Sequence, residues 1–207
     1  MRQGYDLAGN IRDLWNRWGN IERLTAFNVL VFVVFWISSL LDRGTGFLGW
    51  MALPSDPRDL FGKPWTILTY SISHLGLWHL LWNMLMFYWA AQFVTGFLGR
   101  KVVGMFYGGG AVAGAILFWL GTVIPGLWNT GLSGNLGMGN PLVGASAAAM
   151  AFFWASVCLA PDFEVRLFGI LPIRLRWLAA ALLVYDIAML FSSNSGGHWA
   201  HLEGALS

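Results

Sequence analysis

Residues 75–98 read LGLWHLLWNMLMFYWAAQFVTGFL, and no Asp, Glu, Lys or Arg interrupts them. A helix needs about 20 residues to cross the hydrocarbon of a bilayer, so this stretch is long enough to span. Apolar runs of similar character occupy 25–41, 102–124, 142–160 and 177–192, and a further one starts near Trp199. Lipid offers no hydrogen bonds, so each run must satisfy its own backbone as a helix, and the alternating pattern of a barrel strand is absent. The predicted fold class is an all-α membrane protein, a polytopic six-helix transmembrane bundle. Only nine residues, 199–207, belong to the last run, so the sixth helix is expected to be truncated in this chain.

Composition supports lipid as the solvent. Hydrophobic residues make up 57% of the chain and charged residues 11%, too little charge to cover a soluble domain of this size. Thirteen Trp fit the same setting, because an apolar ring carrying a polar N–H suits a membrane interface. A net charge of +2, with basic residues scattered rather than striped, excludes a nucleic-acid partner. The single cysteine, Cys158, excludes a disulfide framework and reads as apolar packing.

Orientation follows from the basic residues. With the N-terminus inside, Arg2, Arg12, Arg17, Arg23, Arg100, Lys101, Arg166, Arg174 and Arg176 lie inside, which is nine of twelve, and Arg43, Arg58 and Lys63 lie outside. This agrees with the positive-inside rule. Charges from Arg2 to Arg23 replace the compact basic start of a signal peptide, so the first span is expected to be retained. The organisation read from this is a cytoplasmic N-terminal segment, 1–24, and a transmembrane domain, 25–207. The protein is expected in a cell membrane, the bacterial inner membrane by this reading, as a multi-pass protein with its N-terminus cytoplasmic. Segments 42–73, 125–141 and 193–198 then face outward. The first mixes Trp50, Met51, Phe61 and Trp65 with Gly, Pro and Asp, and reads as a folded, half-immersed loop.

All four histidines, His74, His79, His198 and His201, fall at the outer side of this topology. Ser146 lies about four residues into the fourth run and His201 about two into the sixth, which puts both within roughly 3–7 Å of the outer helix ends. His79 and Asn83 are four apart and share one helical face. Gly144, Ala147, Ala148 and Ala151 around Ser146, with Ala200 and Gly204 beside His201, are small enough to let the fourth and sixth helices approach closely. A serine hydroxyl becomes a nucleophile when a neighbouring imidazole removes its proton. Attack on a carbonyl creates an oxyanion, for which His79, the Asn83 amide and the Ser146 backbone N–H are candidate donors. Met150, one turn beyond Ser146, is a candidate packing partner for the His201 ring.

Plainer readings stand beside these. A serine in a transmembrane helix commonly bonds back to the carbonyl one turn earlier. His74 and His198 read as wet histidines at the aqueous boundary with structural roles. The histidine spacing suits no tetrahedral zinc site, so no metal is expected. Asp186, inside the fifth run, reads as hydrogen-bond support. Gly108, Gly109, Gly110 and Gly114 read as close helix packing rather than a phosphate loop.

Four segments resemble the rhomboid intramembrane proteases. Pro64-Trp65 with Thr69, His74, His79, Asn83 and Met84 is similar to the family's approach to its second helix, and Arg100 through Gly114 to its inner turn and Gly-rich third helix. Gly144-Ala145-Ser146-Ala147 resembles the G-x-S-G serine motif, with Ala147 in place of the last glycine. Asn194, Gly196, Gly197, Ala200, His201 and Gly204 resemble the start of the last helix, with Glu203 where a small residue is usual. Thr66 stands where many members carry Arg. The resemblance implies Ser146 as nucleophile, His201 as general base, His79 and Asn83 as oxyanion donors, and structural roles for His74, Gly144 and Gly204. It implies no metal or organic cofactor, and transmembrane protein substrates cut near the outer end of a helix. The alternative in the same family is a non-catalytic protein that binds transmembrane clients.

Overall fold

The structure is a computed structural model that describes residues 12–13, 15–40, 44–123, 141–167 and 169–189 of the 207. Its long helices are α1 (Asn20–Leu40), α4 (Leu77–Leu98), α5 (Val102–Val123), α6 (Ser146–Leu159) and α7 (Leu175–Met189). Between α1 and α4 the chain forms α2 (Gly44–Met51), a 3₁₀ turn (Pro57–Gly62), α3 (Thr66–Thr69) and a second 3₁₀ turn (Tyr70–Ile72). Segment 42–73 is thus folded over its described part, as its mixed composition implied. By length and composition alone two helical stretches, Asn20–Leu40 and Val102–Leu120, are apolar enough to cross a membrane. Helix α4 is as long as α5, but His79, Asn83, Gln92 and its tryptophans lower its mean hydropathy.

Helix α1 is built inside out relative to a helix in water. Its buried residues are Ile21 and Asn28, while Leu30, Val33, Trp36 and Ile37 lie exposed. An outward apolar surface around an inward amide is what lipid solvation selects. The Asn28 amide nitrogen donates to Tyr107 Oη at 3.1 Å, and that hydroxyl donates to the Ser71 carbonyl at 3.0 Å. One buried chain of hydrogen bonds therefore ties α1, α5 and the segment before α4. Nothing in the sequence periodicity announced this network.

Helix α6 occupies the centre, packed against both α4 and α5. Phe87 of α4 meets Tyr107 of α5 and Phe152 of α6 edge-on, at 5.3 and 5.4 Å. A Cβ built on Gly110 would stand 2.9 Å from Ala151 Cβ and 3.0 Å from Ala148 Cα. The small face of α6 read as a seat for the sixth helix is therefore used, at Ala148 and Ala151, by α5. Of the glycines expected to mediate close packing, Gly110 does so, whereas Gly108 and Gly109 have open space where a side chain would be. The sixth run lies outside the described residues.

Two features differ from the expected elements. Helix α1 starts at Asn20, inside the segment read as a separate N-terminal piece, because a helix can continue past the apolar window once its charged residues Glu22 and Arg23 reach a polar medium. Between α6 and α7 the chain forms an antiparallel hairpin, β1 (Glu164–Leu167) with β2 (Leu171–Arg174), so the described fold is mainly helical but not all-α. Gly169, at φ +75°, supplies the left-handed residue the turn needs.

Candidate active site

The site begins with how α6 starts. The run 142–160 was read as one helix, but the helix begins at Ser146, which puts the serine in its first turn rather than a turn inside. The cause lies in the four preceding residues. Leu142 exchanges two backbone hydrogen bonds with Leu53, N to O at 2.9 and 3.0 Å. Gly144 adopts φ +124°, a conformation that a side chain strongly disfavours. Its N–H donates to the Tyr70 carbonyl at 2.9 Å, and the Tyr70 hydroxyl donates to the Ala111 carbonyl at 2.7 Å. The segment ahead of the serine is thus pinned by the segment before α4 on one side and, through Tyr70, by α5 on the other.

Gly144 also has a steric reason to lack a side chain. A Cβ there would lie 2.7 Å from His79 Nε2 and 3.9 Å from Asn83 Nδ2. His79 and Asn83, predicted to share a face of one helix, therefore both point at the backbone two residues before Ser146. Asn83 is buried and donates one N–H to the His79 carbonyl at 2.8 Å; an amide carries a second N–H.

His74 was read as a wet boundary histidine, and here the structure corrects the sequence. It is 1% exposed, its ring meets that of His79 edge-on at 5.1 Å, and its Nε2 accepts from the Ala145 N–H at 3.4 Å. The hydrophobic shell of the folded loop accounts for the difference, since the loop covers what an extended linker would leave in water. Burial, with a smaller contribution from neighbouring His79, pushes the His74 pKa from its ordinary 6.5 down to about 3. The ring is therefore neutral, as an acceptor must be.

Backbone donors complete the picture. The N–H groups of Gly144 and Ala145 are occupied by Tyr70 and His74, and the first N–H inside the helix is that of Ser146. First-turn N–H groups have no acceptor within their own helix. Met150 is buried in the core among α4, α5 and α6. Asp186 is buried on α7. Thr66, in the position where Arg was the usual residue, is fully buried and donates to the Lys63 carbonyl at 2.7 Å. His198, His201, Glu203 and Gly204 lie outside the described residues. Among the described residues no group of three or more His, Cys, Asp or Glu is close enough to hold a metal ion.

A mainly helical chain with lipid-facing apolar helices and a polar cluster gathered at the start of its central helix defines a class of integral membrane protein. A family model, the Rhomboid domain, matches residues 62–207, and the chain belongs to the rhomboid family. That family acts on transmembrane substrates within the bilayer and typically does so as an intramembrane serine protease. No curated protein matches the chain.

Proposed function

We propose that the protein is an intramembrane serine endopeptidase, organised as a six-span bundle with its N-terminus inside, that cleaves membrane-anchored proteins near the outer end of a transmembrane helix. In this reading Ser146 is the nucleophile and His201 the general base. His79, Asn83 and the Ser146 N–H receive the oxyanion. The observation that carries it is the approach of His79 and Asn83 to Gly144, because two side-chain donors converge on the backbone just ahead of the first-turn N–H groups of α6.

The length of α6 supports the same reading. Its 14 residues extend about 21 Å, less than the roughly 30 Å of hydrocarbon. A serine at the start of a short helix is recessed below the membrane surface. Irregular backbone at that depth is tolerated when protein buries it, and Leu53 and Leu142, whose backbones pair just before the serine, are both buried.

The reaction proceeds in two acyl-transfer steps. His201 takes the Ser146 hydroxyl proton as Oγ attacks the scissile carbonyl, and the carbonyl electron pair moves onto oxygen, facing the donors. Collapse expels the amine, which takes its proton from His201, and water then hydrolyses the acyl-enzyme by the same sequence. A neutral, acceptor His74 fixes the Ala145 N–H and so the first-turn geometry.

The test uses the full chain purified in detergent, a fluorophosphonate probe and a single-span substrate. The wild type is expected to be labelled and to cleave; Ser146→Ala is expected to lose both, and His201→Ala to lose cleavage. Equal labelling and cleavage by the variants would sink the protease reading, and a wild type inert to both, yet retaining a transmembrane client on affinity capture, would support the non-catalytic alternative.

A further inference from the structure

The hairpin between α6 and α7 is amphipathic in a way the catalytic reading does not use. Its register pairs Glu164 with Arg174 and Val165 with Ile173. Side chains two apart on a strand share a face, so Glu164, Arg166, Pro172 and Arg174 lie on one side, and Val165, Leu171 and Ile173 on the other. Val165 packs against the core shared by the helices, which fixes the apolar side toward the bundle. Toward the turn the apolar side continues largely uncovered: Leu171 is 57% exposed and Ile170, at the turn, 86%.

Packing against the helices steadies the base of the hairpin, but its apolar tip is left to the surrounding medium. Charge and position say what that medium is. The hairpin joins the ends of α6 and α7 opposite Ser146, at the end of the bundle set by the helix order α4–α5–α6, where the exposed Arg100 and Lys101 also sit. Exposed Trp177 and half-exposed Phe163 flank its base, and the Arg176 guanidinium lies 5.6 Å from the centre of the Trp177 ring. Asp162 pairs with Arg174 at 3.4 Å and with Arg176 at 3.0 Å, while Arg166 makes no ion pair among the described residues. Aromatic rings with surplus basic groups above an apolar tip match the boundary between acyl chains and phosphate headgroups.

We infer that the β1–β2 hairpin is a membrane-surface anchor: Ile170 and Leu171 overhang the edge of the bundle and enter the lipid interface, and Arg166 on the opposite side meets headgroup phosphates. The hairpin lies nearly flat on the bilayer, its apolar side immersed about 5–10 Å, as for an amphipathic helix. It holds the junction of α6 and α7 at a fixed depth. This rests on membership of a membrane family and on the hairpin geometry, and is independent of whether Ser146 is a nucleophile.

The experiment replaces exposed Cys158 by serine, then introduces Ile170→Cys or Glu164→Cys in the full chain. Each is labelled with an environment-sensitive fluorophore and reconstituted in vesicles of phosphatidylcholine and phosphatidylglycerol. The Ile170 label is expected to be quenched several-fold more by spin-labelled lipid than the Glu164 label, and shielded from aqueous iodide, with the Glu164 label showing the reverse. Equal iodide access at both positions would overturn the proposal. Shielding of Ile170 that grows with protein-to-lipid ratio, without lipid quenching, would overturn it in favour of a second copy of the chain covering the tip.

Discussion

Helix α6 has a serine at each end, and they sit in opposite circumstances. Ser156 is fully buried and donates to the Phe152 carbonyl at 2.8 Å, one turn back. That is the ordinary fate of a hydroxyl inside a membrane helix, where returning to its own backbone removes the cost of burial. Ser146 stands in the first turn, preceded by Gly144 at φ +124°, so no helical carbonyl lies one turn behind it. The same residue type on the same helix bonds back to its own backbone at one end and has no helical carbonyl to return to at the other. What separates them is the break in regular backbone ahead of Ser146, together with the loop that enforces it.

The largest expected effect breaks this contrast directly. Under the proposed function Ser146→Ala reduces cleavage of a single-span substrate by at least about a thousandfold, since nothing replaces a missing nucleophile. Ser156→Ala leaves cleavage unchanged and shifts thermal unfolding by about 1 kcal/mol, the usual net worth of one hydrogen bond. Loss of cleavage in both variants, with the fold intact, would mean that the two ends of α6 are not distinct in kind.

Gly144→Ala tests the break itself. The added Cβ would fall 2.7 Å from His79 Nε2 and require a strained φ. The backbone or His79 must move, and a shift of about 1 Å at a reacting centre costs on the order of a hundredfold in rate. The expected signature is slower fluorophosphonate labelling of Ser146 with a loss of stability of about 1–3 kcal/mol from the strained residue. Wild-type labelling in this variant would mean that His79 is not held against the serine loop.

How far these features could be read from the sequence depends on their physical range. The long helices were legible because lipid demands long apolar runs, two of them, Asn20–Leu40 and Val102–Leu120, being apolar enough to cross a membrane, and His79 with Asn83 was legible because a spacing of four fixes one face. The start of α6 was not. Leu142 and Val143 continue the apolar run, and what stops the helix there is the pairing of Leu142 with Leu53, 89 positions away in number, together with the bond of Gly144 to Tyr70. Burial of His74 was missed for the same reason, since it depends on the loop folding back. The hairpin was missed because four-residue strands such as Glu164–Leu167 are too short for periodicity to distinguish from a loop. Asn28 and Tyr107, in separate runs, carried no signal that they meet.

A smaller effect sharpens the comparison along α5. Gly110→Ala places a Cβ 2.9 Å from Ala151 Cβ, against an α6 backbone that has no room to yield. Overpacking of this kind costs about 1–3 kcal/mol. Gly109→Ala, one residue away with open space around it, is expected to be neutral or to stabilise by up to about 1 kcal/mol through helix propensity. Thermal unfolding of both variants in detergent measures the difference, and equal shifts would mean that α5 and α6 do not meet at Gly110.

A further contrast is a pH dependence at the Ser146 end. His74 is held neutral in the folded protein, with its pKa lowered from 6.5 to about 3 chiefly by burial. The unfolded chain takes up a proton at this site below about pH 6.5 and the folded chain does not. Protons therefore favour unfolding over that window: the contribution of His74 is fully present above pH 6.5 and is lost progressively as pH falls toward 3. The unfolding midpoint in detergent should fall between pH 7 and pH 4, and His74→Gln, which keeps an acceptor for Ala145 but does not titrate, should flatten that slope while lowering stability at pH 7. A slope unchanged by the substitution would assign the acid sensitivity to other groups.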